Sequence, residues 1–157
     1  MNQNGESKRK ESRIEIITYL AQLKYAIEHG SAQVKLIIKR GVDKGRDKRF
    51  TNSYTLAKLF PKEDYVEAFK KEFLTLTIEE YIETVKDLRF PNKSDMRVFG
   101  KVYDLEDVYI KIRVELLSID HAYGENYIMV MSFHYSDRKF VDGDFPYRKT
   151  GACDEEN

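Results

Sequence analysis

The sequence predicts an α+β protein in which helices pack on a curved, mainly antiparallel sheet. Three observations carry that expectation. The first half holds stretches with apolar residues three and four apart, the stripe of an amphipathic helix. The run 108–116 alternates instead: Ile110, Ile112, Val114 and Leu116 fall on one face, and Tyr109, Lys111, Arg113 and Glu115 on the other. A period of two with β-branched residues marks a half-buried strand. Two further β-rich runs, 97–103 and 126–134, flank it across turn-like segments. Helix, strand, helices and then a meander is the element order of an α+β layout.

Residues 1–11 are polar and are expected to form a disordered tail. Ser12 suits an N-cap, and Ile16, Ile17, Leu20, Leu23 and Ile27 line one stripe of a helix starting at Arg13. The helix should stop at His29-Gly30, where glycine can adopt the left-handed conformation. His29 reads there as a surface residue compatible with the helix dipole. Residues 34–39 form a strand candidate. Residues 40–52 read as a long basic loop carrying Arg40, Lys44, Arg46, Lys48 and Arg49 against two aspartates. A helical turn over 53–60 should end near Pro61, which then suits the first position of a helix reaching residue 74. Thr77 and Glu80 match a capping box, so a further helix is expected from Ile78 to about Asp87, its apolar set Ile78, Tyr81, Ile82 and Val85. Residues 90–94 turn the chain into the sheet. Residues 104–107 are short enough for a hairpin connection, 118–125 read as a longer loop, and 135–147 as an ordered wrap. A single domain over 12–147 is expected, with 1–11 and 148–157 as disordered tails.

The chain has 157 residues, enough for a real core. Charged residues make up 34% of it and cancel to zero net charge. The balance is uneven: residues 1–50 carry 12 basic and 6 acidic side chains, and residues 101–157 carry 7 and 12. Overall charge thus argues against a nonspecific polyanion binder and leaves a local basic patch open. For the loop 40–52, contact with phosphates and simple solvation remain two open readings. No apolar run approaches bilayer length and no secretory signal is visible, so no membrane partner and a cytoplasmic location are expected. The only cysteine, Cys153, lies in the polar tail, which excludes a disulfide framework and a cysteine metal site. There is no His-Glu-x-x-His, no phosphate-binding glycine loop and no Gly-x-Ser-x-Gly elbow, so neither metal nor cofactor is expected.

The polar residues of the meander remain. Tyr109, Lys111 and Arg113 share a strand face, His134 ends a neighbouring strand, and Lys93 and Lys101 flank the same sheet. Such a face is often merely solvated. It also fits metal-free RNA cleavage, in which the substrate supplies its own 2′-hydroxyl nucleophile. Histidine transfers protons near neutral pH, lysine and arginine stabilise charge on the phosphate, and tyrosine stacks on a base.

The runs 98–103 (Val-Phe-Gly-Lys-Val-Tyr), 108–112 (Val-Tyr-Ile-Lys-Ile) and 132–134 (Ser-Phe-His) resemble the C-terminal half of MqsR-type toxins. These are motility quorum-sensing regulator toxins of bacterial type II toxin–antitoxin systems. The upstream part is similar too: 27–30 (Ile-Glu-His-Gly), a following strand, then 76–81 (Leu-Thr-Ile-Glu-Glu-Tyr) leading to Phe90 and Lys93. The likeness covers roughly residues 14–147. It implies a RelE-like fold, metal-independent cutting of single-stranded mRNA, and a cognate antitoxin as partner. It places family site positions at Lys93 and Tyr109. It puts His134 where the best-known members have lysine, and Gly100 where they have glutamine, a role that Lys101 can take over. The expected catalytic set is His134, Lys93, Tyr109 and Lys111, with Arg113, Lys101, Arg46, Lys48 and Arg49 binding RNA. Two other readings stay open: a noncatalytic module using the same sheet to bind RNA or protein, and an accessory protein of a mobile element.

Overall fold

A computed structural model describes residues 5–29, 32–37, 44–115 and 126–148. In chain order these form β1 (Glu6–Arg9), α1 (Arg13–Glu28), β2 (Ala32–Leu36), α2 (Asn52–Leu59), α3 (Tyr65–Leu74), β3 (Tyr81–Asp87), β4 (Met96–Tyr103), β5 (Glu106–Glu115) and β6 (Asn126–Tyr135). The strands make one open sheet in the order β1-β3-β4-β5-β6-β2. Every pairing is antiparallel except β2 with β6. The architecture is α+β, as the sequence predicts.

The main core lies between the helices and one face of the sheet. Ile16, Leu20, Leu23, Phe69 and Phe73 meet Phe99, Ile110, Ile112, Ile128 and Phe133 there, all buried. A smaller cluster covers part of the opposite face, where Phe145 packs on Ile82, Val85, Met96 and Val98, with Phe140 beside them. The expected wrap over 135–147 is this segment. It is held by Asp107, whose Oδ2 accepts from the Phe140 amide at 2.8 Å, and by the Tyr147 hydroxyl, which donates to the Glu11 carbonyl.

Local chemistry explains the elements. The Ser12 hydroxyl accepts from the Glu15 amide at 3.2 Å while the Glu15 carboxylate accepts from the Ser12 amide at 2.9 Å, a capping box that starts α1. At its other end the His29 Nδ1–H donates to the Tyr25 carbonyl at 3.0 Å and the ring stacks on Tyr25. Asp104 and Leu105 both have positive φ, 51° and 68°, in the tight turn between β4 and β5.

Four expectations need correction. Residues 78–87 are not a helix. The Thr77–Glu80 capping box does form, with the Thr77 amide 2.9 Å from Glu80 Oε1, but it closes a single 3-10 turn before the chain enters β3. A register irregularity between Tyr81 and Glu83 shifts the strand's phase, so Tyr81 and Thr84 face the helices while Ile82 and Val85 face away. The resulting apolar spacing imitates a helix, and the β-branched and aromatic composition decides for the strand. Residues 6–11 are not a disordered tail either: β1 pairs with β3, and Glu11 is buried. The polar composition of β1 is what an edge strand tolerates. The helix expected from Pro61 starts at Tyr65, because the Asp64 carboxylate accepts from the Glu67 amide at 3.1 Å and caps it there. The strand expected over 34–39 is β2, two residues earlier at its start; residues 38–43 lie outside the described residues, as do the 118–125 loop and the tail beyond Arg148.

Candidate functional site

The site is made by a bulge. On β5, Val108, Ile110, Ile112 and Val114 are buried in the main core, so Tyr109, Lys111 and Arg113 face the other way. On β6, Ile128 and Val130 point to the same core, and then the register slips. Lys111 pairs with Ser132 and Ile112 with Val130, which leaves Met131 as the extra residue. Beyond it Phe133 and Tyr135 point into the core. Ser132 and His134 therefore share the outer face with Tyr109 and Lys111. Without the extra residue, the strict alternation of a strand would send His134 inward.

The bulge has a dedicated support. Among the described residues, β2 pairs only as far as Val130 and leaves the next part of β6 an open edge. The first turn of α2 closes it. Asn52 Nδ2 donates to the Ile37 carbonyl at 2.7 Å and to the Met131 carbonyl at 3.2 Å. Asn52 Oδ1 accepts from the Phe133 amide at 2.9 Å, and Thr55 Oγ1 from the Tyr135 amide at 2.9 Å. Asn52 and Thr55 are almost wholly buried. These side chains act as the missing strand, satisfying backbone groups that burial would otherwise strand.

The outer face opens there into a cleft of about 620 Å³. Its wall carries Tyr109 and His134, cross-strand partners whose rings stack with centroids 5.5 Å apart. His134 Nδ1 is 2.9 Å from the Tyr135 carbonyl. A carbonyl can only accept, so Nδ1 carries the hydrogen and, in the neutral ring, Nε2 carries the lone pair. Nε2 lies 3.5 Å from Arg46 Nη1. Lys111 and Ser132 form the floor, and Lys111 Nζ stands 3.9 Å from the Glu6 carboxylate on β1. Arg89 brings a third cation to the rim, where Asp87 holds it through two contacts of 3.0 Å. Those hydrogen bonds hold the Asp87 carboxyl below its usual range. Three cations and one histidine thus meet three carboxylates, Glu6 and Asp137 in the lining and Asp87 behind Arg89.

No family model, curated protein or solved structure matches this chain.

Of the expected site residues, the structure brings His134, Tyr109, Lys111 and Arg46 together. The others lie elsewhere. Lys93 and Arg113 line a second cleft of about 240 Å³ further along the same face, with Lys35, Glu115, Tyr127 and Met129. Lys101 is on the helix side, where its Nζ donates to Thr75 Oγ1 at 2.7 Å and stands 3.7 Å from Glu80. It shares a strand face with Phe99, not with Gly100, and cannot stand in for a side chain at position 100. Lys48 is exposed in a 3-10 turn, and Arg49 pairs with Glu106 at 3.0 Å outside the cleft. Gly100 has a packing reason: a Cβ there would stand 2.6 Å from Phe140 Cε2 and 3.1 Å from Ile82 Cδ1.

Sequence reasoning missed Glu6, Arg89, Ser132 and Asn52. One signal was available for Ser132. β-branched residues at 128 and 130 and then aromatic ones at 133 and 135 shift the phase of the strand, as a bulge does. Glu6, Arg89 and Asn52 carry no such local signal.

A separate polar cluster sits at the start of α1. The Glu11 carboxylate accepts from Arg97 at 2.8 and 2.9 Å and from the Thr84 hydroxyl, and the Arg97 guanidinium lies 4.5 Å from the centre of the Tyr19 ring. Burial opposes ionisation of Glu11, but the hydrogen bonds from Arg97 and Thr84, with the charges of Arg97 and Arg9, outweigh it and hold the carboxyl below its usual value. The cluster ties β1, α1, β3 and β4 together and is structural.

Proposed function

We propose that the protein is a metal-independent endoribonuclease acting on single-stranded RNA, of the MqsR toxin kind with a RelE-like arrangement, its activity held in check by a cognate antitoxin. The observation that carries the reading is the orientation of His134. Its Nδ1 is committed to a backbone carbonyl, and its Nε2 faces Arg46 Nη1 across 3.5 Å, beside a stacked tyrosine. Such a nitrogen accepts a proton from a 2′-hydroxyl. The 2′-oxygen then bonds to the adjacent phosphorus and the bond to the 5′-oxygen breaks. Lys111 and Arg46 neutralise the charge growing on the phosphoryl oxygens, and the Lys111 ammonium gives a proton to the departing 5′-oxygen. The products are a 2′,3′-cyclic phosphate and a 5′-hydroxyl. Tyr109 holds a base against the wall of the cleft.

One observation favours a noncatalytic RNA-binding module instead. Phe140 fills the space at Gly100, so the family's glutamine has neither a side chain nor room for one here. Incubating the purified protein with a defined single-stranded RNA in EDTA separates the two. Fragments ending in a cyclic phosphate support cleavage; intact RNA that nonetheless stays bound supports the module.

A further inference from the structure

The second cleft holds Lys35, Lys93 and Arg113 around Tyr127 and Met129. Among the described residues no carboxylate stands at ion-pair distance from any of these three cations. Lys35 lies 4.5 Å from the centre of the Tyr127 ring, and Arg113 Nε donates to the Ser94 carbonyl at 3.1 Å. The one acid in the cleft, Glu115, is engaged by Ser94, whose amide and hydroxyl donate to its two oxygens at 2.7 and 2.9 Å. Among the described residues that line it, the cleft therefore sets three cations against one acid, in a chain with no net charge. It begins one pleat repeat after the first cleft ends: Lys111 belongs to one and Arg113 to the other, on the same face of β5. Two residues along a strand span about 7 Å, a step that a single extended chain crosses without leaving the surface.

We propose that this second cleft is a flanking nucleotide subsite, continuous with the first, in which Lys35, Lys93 and Arg113 hold backbone phosphates and Tyr127 with Met129 receives a base. It rests on the reading of the first cleft as an RNA site. It moves Lys93 from the chemistry to positioning of the strand. Cations beside an aromatic ring are the recognition chemistry of single-stranded nucleic acid, because phosphate and the π-face of a base recur at every nucleotide.

The test uses the full-length protein and a 2′-O-methyl RNA twelvemer, which cannot be cleaved, titrated by fluorescence anisotropy at several salt concentrations. Each phosphate contact on a single strand contributes about 0.7 to the slope of log affinity against log salt. Lys35→Gln with Lys93→Gln should lower that slope by about 1.4, which is roughly a 25-fold loss at 0.1 M salt. Tyr127→Leu should weaken binding by roughly tenfold with the slope unchanged. Relative to a dinucleotide that fills the first cleft alone, either variant should cut a longer RNA more weakly than the native protein does. Wild-type affinity and slope in both variants would overturn the proposal and leave the cleft to a protein partner. The cleavage reading fails separately: wild-type protein that binds the twelvemer through Lys35 and Lys93 but cuts no RNA retains the subsite and loses the nuclease.

Discussion

Replacing Asn52 by alanine tests how the site is held. The side chain makes three hydrogen bonds, donating to the carbonyls of Ile37 and Met131 and accepting from the Phe133 amide, and it is only 1% exposed. Each such bond is worth about 1 kcal/mol net, and an amide left buried without a partner costs roughly 1–3 kcal/mol more. Asn52→Ala should therefore destabilise the protein by about 4–6 kcal/mol, a large share of the stability of a domain this size. With a urea slope of about 2 kcal/mol per molar, the unfolding midpoint falls by about 2–3 M. Asn52→Asp should give no rescue, since its carboxylate would face two carbonyl oxygens. Ser53→Ala, one residue along and exposed, should stay within about 0.5 kcal/mol. The Phe133 amide should also exchange with solvent faster in Asn52→Ala than in the native protein. A loss under 1 kcal/mol, with the exchange rate unaltered, would refute the claim that Asn52 supports the bulge.

Two other predictions concern packing and charge. Gly100→Ala should cost about 1–3 kcal/mol through overpacking against Phe140, and urea unfolding should show that cost shrinking when Phe140→Ala is added; equal cost in both backgrounds would separate the two positions. Glu11 has a folded pKa below its ordinary value of 4.5, so its stabilisation is fully present above that pH and is lost as pH falls through the lowered folded value. In an acid-unfolding series Glu11→Gln should be less stable than the native protein at neutral pH and less sensitive to acid, and parallel curves would contradict this.

Much of the meander is legible in the sequence because its strands obey a strict rule. Val108, Ile110, Ile112 and Val114 alternate, and the sheet buries them as that pattern requires. The start of α1 is legible because a capping box is local chemistry within four residues. What the sequence conceals comes from breaks in periodicity and from distance. The irregularity at Tyr81–Glu83 gives β3 a helical spacing, and the bulge at Met131 sets the direction of His134. Strand β1 is a polar segment that acquires structure only by pairing with β3, 75–81 residues away. The cleft is partly legible: Tyr109, Lys111 and His134 follow from strand faces once the register is known, and Arg46 arrives from the basic loop. Chain order and resemblance put Lys93 and Lys101 beside them, and neither criterion measures how far along a sheet, or on which of its faces, a residue stands. Asn52 was invisible because its role is defined by the carbonyl and amide groups of strands distant in the chain.

The central claim is that His134 moves the proton in RNA cleavage. The most direct measurement is the single-turnover rate at which native protein and His134→Ala cut the same single-stranded RNA, with binding measured alongside. His134→Ala should lose about 10²–10⁴-fold in rate with affinity nearly unchanged. Equal rates in the two proteins would contradict it.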